Sequence, residues 1–269
     1  MYNFRTMQRW RRGKTPPPPL NALAADASLR DDKYKNSIYA KHYLGLVHAG
    51  GDYYALVFAS RENLSKLGVD TKLIMCDGTF KTAPSTSDNK HFYQNLILYA
   101  KYGDHVLPFM KAIMTGKCRP LYDKTFQKMK EHLPSSVNPE TVMSDYEQAL
   151  QGALSDIFPD ANVLGCWFHF SQCVFKHMMH FGLIICYREK EDFALWLQLT
   201  MAMPLLPQNR IEEAWAQLKI FSVDVGHGYK GKFRQLKTYI EKTWVIQRLD
   251  VLSVFGSDVR TNNAVESWK

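Results

Sequence analysis

The 269-residue sequence lacks any apolar run of the ~18 to 20 residues needed to span a bilayer. Its most apolar stretches, such as Leu183-Ile184-Ile185-Cys186, are far shorter, so no membrane partner is expected. The N-terminal residues up to Lys14 hold no apolar segment of the secretory kind. Cysteine is scarce and odd in number: Cys76, Cys118, Cys166, Cys173 and Cys186, irregularly spaced. That excludes a disulfide framework and favours a reducing compartment. No internal repeat is evident. The composition, 46% hydrophobic, 13% aromatic and 22% charged, excludes disorder, collagen and coiled coil as overall descriptions. A chain of this size buries a core without staples, as one large domain or two small ones.

Charge is unevenly placed. Of the net +8, five charges sit in the first 14 residues (Arg5, Arg9, Arg11, Arg12 and Lys14), leaving +3 for the other 255. A basic tail is a general pointer to nucleic acid or nuclear import, and equally to a solvated arm. Four consecutive prolines, Pro16 to Pro19, favour an extended stretch. Residues 1–30 read as a basic, proline-rich arm and linker.

Beyond the arm, Tyr54 to Ala59 is a buried-strand candidate, and Ser60 can cap a short helix through Leu67. Leu73 to Cys76 is a short strand stopping at Asp77-Gly78. Phe92–Tyr102 and Val106–Thr115 flank Gly103-Asp104 and predict an antiparallel hairpin. Tyr122, Phe126, Met129 and Leu133 have helical spacing. Thr141 to Met143 predicts a strand, and Leu150 to Phe158 the apolar face of a helix ended by Pro159. Asn162 to Gly165 leads into Cys166-Trp167-Phe168-His169, read as a strand passing into a helix. Further on, Phe193–Met201, Ile211–Leu218 and Phe233–Trp244 read as amphipathic helices. Strands followed by alternating strand and helix predict a mixed α/β sheet covered by helices. A ribonuclease H-like core has this order: three antiparallel strands, then two in crossover units.

Three acids then stand out by position. Asp77 lies just past the first core strand, Asp145 just past Thr141–Met143, and Glu266 in the final segment. In a sheet of this order the first and fourth core strands are central neighbours, which would bring Asp77 and Asp145 close. Gathered carboxylates hold hard cations, Mg²⁺ or Mn²⁺, through oxygen. Two such metals support phosphoryl transfer on nucleic acid. Each acid also has a plainer reading. Asp77-Gly78 can be a turn pair. Ser144-Asp145-Tyr146-Glu147 fits a capping box. Glu266 can serve the dipole of a helix. Spacing alone does not select Glu266 from the other acids.

Four segments carry a resemblance. Cys76-Asp77-Gly78-Thr79-Phe80-Lys81 resembles the first catalytic motif of Mutator-like element (MULE) transposases, of the DDE superfamily. Met143-Ser144-Asp145-Tyr146-Glu147-Gln148-Ala149 resembles the second. Gly165-Cys166-Trp167-Phe168-His169-Phe170 resembles the Cys-x-x-His segment, which makes Cys166 and His169 the family's Cys-His pair. Arg260-Thr261-Asn262-Asn263-Ala264-Val265-Glu266-Ser267 resembles the third, glutamate-bearing motif. The motifs stand in the family's order over roughly residues 50–269.

The resemblance implies a ribonuclease H-like core, a mixed five-stranded sheet flanked by helices, with an α-helical insertion before the last catalytic helix. Residues 31–187 would hold an N-terminal segment and the catalytic core, 188–255 the insertion, and 256–269 the start of the final helix. Asp77, Asp145 and Glu266 would be the triad, binding two Mg²⁺ (or Mn²⁺) for DNA strand cleavage at element ends and strand transfer. The implied partners are double-stranded DNA, at the terminal inverted repeats of the element, and further copies of the chain as an oligomer on DNA. The implied place is the nucleus. The family often has an upstream zinc-finger module of FLYWCH or WRKY type, and no cysteine or histidine precedes Tyr34 to build one. Only three residues follow Glu266, so the implied final helix is barely one turn, as in a truncated copy or an incomplete gene model.

Zinc is not expected at Cys166, His169, Cys173 and His177. One straight helix spreads such ligands over about 16 Å. Trp196, Trp215 and Trp244 have the spacing of core residues, with base stacking as the alternative. Lys81, Arg11, Arg12, Lys230, Lys232 and Arg234 are candidate DNA contacts, and Lys237 and Lys242 extend the last cluster. The expected function is transposase. The alternatives are a domesticated, catalytically idle DNA-binding regulator and a truncated inactive remnant.

Overall fold

A computed structural model describes residues 19–80, 83–84 and 92–261. Among these the chain forms two compact units. The first takes in the residues up to Val142 together with Glu147–Asn162; the second takes in Met143–Tyr146 and Val163 onward.

The first unit opens with helix α1 (Ala22–Arg30), capped by Asn21, whose side chain accepts from the Ala24 N–H at 2.9 Å. This helix falls within the stretch read as arm and linker. Alanine, the best helix former, and the Asn cap account for it. Helix α2 (Ile38–His42), strands β1 (Tyr43–His48) and β2 (Tyr54–Ala59), and helix α3 (Arg61–Leu64) follow. As expected, Ser60 caps α3. Strands β3 (Leu73–Thr79), β4 (Gln94–Tyr102) and β5 (His105–Met114) come next. The hairpin forms as read: Tyr102 pairs with His105 around Gly103-Asp104, and Gly103 takes φ 57°. Helix α4 (Arg119–Lys130), strand β6 (Thr141–Ser144), helix α5 (Gln148–Ile157) and strand β7 (Asn162–Gly165) complete the α/β part.

The sheet has seven strands in the order β1-β2-β5-β4-β3-β6-β7. Five strands were expected, and the count is corrected to seven. Strands β2 and β1 extend the sheet outward from β5. The alternation in β1 is broken by Gly45, at φ 131° beside a shift in register, which hides the strand from a periodicity argument. Pairing from β1 through β3 is antiparallel throughout. The Glu140 and Thr141 N–H groups both donate to the Lys72 carbonyl, so β3 and β6 start from one edge. Asn162 donates to Glu140 and Cys166 to Ser144, a constant offset that makes β6 and β7 parallel. The sheet is therefore mixed. Helices α4 and α5 cover one face of the first unit over Cys76, Leu96, Leu98, Met110 and Ala112.

The second unit is helical: α6 (Trp167–His180), α7 (Ile184–Glu189), α8 (Glu191–Ala202), α9 (Gln208–Ile220), α10 (Lys230–Ile240) and α11 (Leu249–Leu252). Two expectations are corrected. Cys166 to His169 is not a strand, because β7 ends at Gly165 and α6 starts at Trp167. Its aromatic residues suit strand and helix alike, and tertiary contacts decide. The helix read from Phe233 to Trp244 is α-helical only to Ile240. It continues as a π-helical turn, Glu241–Ile246. The core is aromatic, and Trp196, Trp215 and Trp244 all lie inside it. No helix among the described residues is long and apolar enough to cross a membrane.

Candidate active site

Asp77 is the fifth residue of β3, a strand whose neighbours are almost wholly buried. It is itself only 3% exposed. Sequence alternation turns it away from Cys76, which packs beneath α4 and α5. The turn reading of Asp77-Gly78 therefore fails: both residues pair within the β3–β4 ladder, with Ile97 and Leu96. Tyr99 lies on the Asp77 side. Burial, and next the charge of Asp77, push its phenol pKa upward. Behind the ladder, buried Gln94 donates to the Tyr122 hydroxyl at 2.7 Å, and Tyr122 donates to Glu147 at 3.2 Å.

Asp145, in the second unit, directly follows β6 and is half-buried. The capping-box reading fails here too. Helix α5 starts only at Gln148, with Glu147 at the N-cap position and no side-chain cap bond. The Ser144 hydroxyl instead donates to the Asp145 carbonyl at 2.9 Å. The structure brings the second motif and the Cys-His segment together. Fully buried Cys166 donates its N–H to the Ser144 carbonyl at 2.8 Å. Burial raises the Cys173 thiol pKa; Lys176 lowers it and Asp145 raises it further.

Tyr146 fixes the segment after Asp145. Its ring meets Trp244 edge-on at 4.6 Å, and its carbonyl accepts from Arg248. It also lies against Gly165, where a Cβ would come within 2.1 Å of the ring. A glycine is required at 165 for this approach. Arg248 also sits over the rings of Tyr146 and Trp244, at 5.9 and 5.8 Å.

His169 sits in the first turn of α6, half-buried, with Phe168 edge-on to it at 5.8 Å. Further along, His177 is held by packing: its Nδ1 donates to the Cys173 carbonyl at 2.9 Å and its ring stacks on Tyr239 at 3.6 Å. Among the described residues, no three His, Cys, Asp or Glu side chains are grouped to hold a metal ion. Glu266 lies outside the described residues, as do Lys81, Arg11 and Arg12.

Lys230, Lys232 and Arg234 are exposed on α10, whose buried face is Phe233, Leu236 and Ile240. Lys232 reaches over the Tyr229 ring and Lys237 over Phe233, at 5.3 and 4.6 Å. One residue escaped the reading altogether. Lys111 is a lone lysine in the middle of β5, on the Asp77 side of the sheet. The available signal was a single cation inside an otherwise apolar strand.

Residues 73–173 match the family model of the MULE transposase domain. No curated protein matches the chain. The matched span runs from the first residue of β3 into α6 and contains Asp77, Asp145, Cys166 and His169. The segment from Leu73 to Cys173 is thus a MULE transposase domain, and the protein is transposase-related.

Proposed function

We propose that the protein is a metal-dependent DNA transposase, with Asp77, Asp145 and Glu266 as its catalytic carboxylates. The observation that carries this reading is Asp77. It is a carboxylate buried in the middle of β3, within the span that matches the MULE transposase domain. Strand order adds support. We read the β3-β4-β5 antiparallel set with parallel β6 and β7 as a ribonuclease H-like core, widened at one side by β2 and β1.

The donor set is all oxygen and fits Mg²⁺ or Mn²⁺ better than a softer metal. Two such ions supply activation of a water or 3′-hydroxyl and stabilisation of the leaving oxygen of a phosphodiester. Asp77 would be held rigidly for this by its place in the ladder. Asp145 would be held by the Ser144 bond before it and the anchored Tyr146 after it. The exposed cations of α10 would track DNA phosphates. The partners would be the terminal inverted repeats of the element and a second copy of the chain, in the nucleus.

The same basic face also suits a DNA-bound regulator whose acids are idle. Nicking of supercoiled plasmid separates the two readings. It is expected with Mn²⁺ and is expected to vanish with EDTA and in Asp145→Asn. A folded, DNA-binding chain that leaves the plasmid intact in Mn²⁺ would favour the regulator.

A further inference from the structure

The face of the first unit that carries Asp77 also carries a groove with a cation in it. Asp77 pairs with Ile97 on β4, Ile97 with Lys111 on β5, and Lys111 with Phe58 on β2. Directly opposed residues on neighbouring strands point to the same face. The four side chains therefore form one row across the sheet. Two strand spacings put the Lys111 backbone roughly 10 Å from that of Asp77. Next to this row, α1 covers the same face, with Ala22 and Ala25 packed on Leu56.

A groove of about 260 Å³ is lined by His42, Phe58, Ser60, Ile97, Tyr99 and Lys111, among others. Lys111 is half-buried, and burial is the cause that lowers its ammonium pKa. It forms no ion pair among the described residues. The His42 Nδ1 donates to the Ala59 carbonyl at 2.9 Å, which fixes the ring at the groove wall. Desolvating an ammonium is costly, and a lysine so placed in a cleft is a candidate binding group. The walls are aromatic and aliphatic, which suits a sugar and a base. A single cation suits a singly charged phosphodiester.

We propose that this groove is a phosphodiester subsite: Lys111 holds a backbone phosphate of the bound strand, next to the phosphate that Asp77 addresses, with the adjoining nucleoside against Phe58. The inference rests on the transposase reading for its ligand class and adds a positioning residue to it. Separation along the sheet makes the phosphate at Lys111 a neighbour of the reacting one.

The test uses the full chain and two probes. Lysines are acetylated with and without a phosphodiester oligonucleotide, and Lys111 modification is read by peptide mass spectrometry. Severalfold protection is expected, and none from the same oligonucleotide with an uncharged methylphosphonate backbone. In parallel, duplex binding is followed against salt by fluorescence anisotropy. Lys111→Met is expected to lower the steepness of the log–log slope by about 0.9, the value of one phosphate contact on duplex DNA, and Lys111→Arg to restore it.

Salt-dependent binding with Lys111 unprotected would overturn the subsite and leave the transposase reading standing. Equal protection by the uncharged backbone would overturn the phosphate contact. A wild-type chain that binds no oligonucleotide would overturn both readings together. If Lys111→Met fails to fold, the labelling of the wild-type chain still decides.

Discussion

The two units bury different things. In the first, Asp77, Thr79, Gln94 and Asn95 are all buried polar residues, gathered on β3 and its partner β4. In the second, the large buried side chains are aromatic. Phe233 meets Trp196 edge-on at 4.8 Å and Phe193 at 5.5 Å, and Trp196 Nε1 donates to the Leu218 carbonyl at 2.8 Å. Buried polarity has a desolvation cost and needs partners, whereas buried aromatics are favourable from area alone. The first unit accepts that cost on the strand pair that carries Asp77. The indoles that spacing placed in the core are in it, so none is free to stack on a DNA base.

The contrast breaks most sharply at Trp196. Trp196→Ala removes a fully buried side chain and its hydrogen bond, and is expected to cost about 3–5 kcal/mol. Chemical denaturation measures it. The loss should appear in the tryptophan-rich helical unit, and a loss below about 1 kcal/mol would show that its core is loosely packed. Gly165→Ala comes next. The added methyl meets the Tyr146 ring, which Trp244 holds in place, so the ring cannot swing aside freely. A cost of about 1–3 kcal/mol is expected, typical of overpacking. Because Tyr146 adjoins Asp145, nicking should fall along with stability. Unchanged thermal stability would mean that the Tyr146 ring has somewhere else to go.

Much of this was legible in the sequence, for local reasons. The hairpin around Gly103-Asp104 and the cap at Ser60 rest on turn and capping chemistry written in a few adjacent residues. The place of Asp145 directly after its strand was equally local, whereas Asp77, read as lying just past its strand, is inside it, because pairing with β4 carries β3 on to Thr79. What stayed hidden depends on distant contacts. Strand β1 has a glycine-broken pattern and is held by pairing with β2. The helix start at Trp167 is supported by its N–H bond to the Arg260 carbonyl and its indole bond to Met201, far along the chain. The capping box at Ser144 matched a pattern that the helix does not use, because α5 starts later. Lys111 stands in the sequence as a single cation in an apolar strand, but its row with Asp77 emerges only from strand register.

The smallest effect sharpens the comparison most, because its sign is opposite. If Lys111 is kept for a ligand, removing its charge should stabilise the protein while weakening nucleic-acid binding. Burial lowers the Lys111 pKa below its unfolded value. The unfolded chain therefore binds more protons here than the folded one, and stability at this site rises with pH. The penalty is present in full below the lowered folded pKa and disappears above the ordinary lysine value. Lys111→Met should accordingly raise stability at neutral pH by about 0.5–1 kcal/mol, the scale of single stabilising changes. The gain should shrink as pH climbs through the lysine range. Thermal melts of both proteins at neutral and strongly alkaline pH read this difference directly. A variant less stable than wild type at neutral pH would mean that Lys111 serves the fold, and the first unit would then bury its polar groups for structure as well as for chemistry.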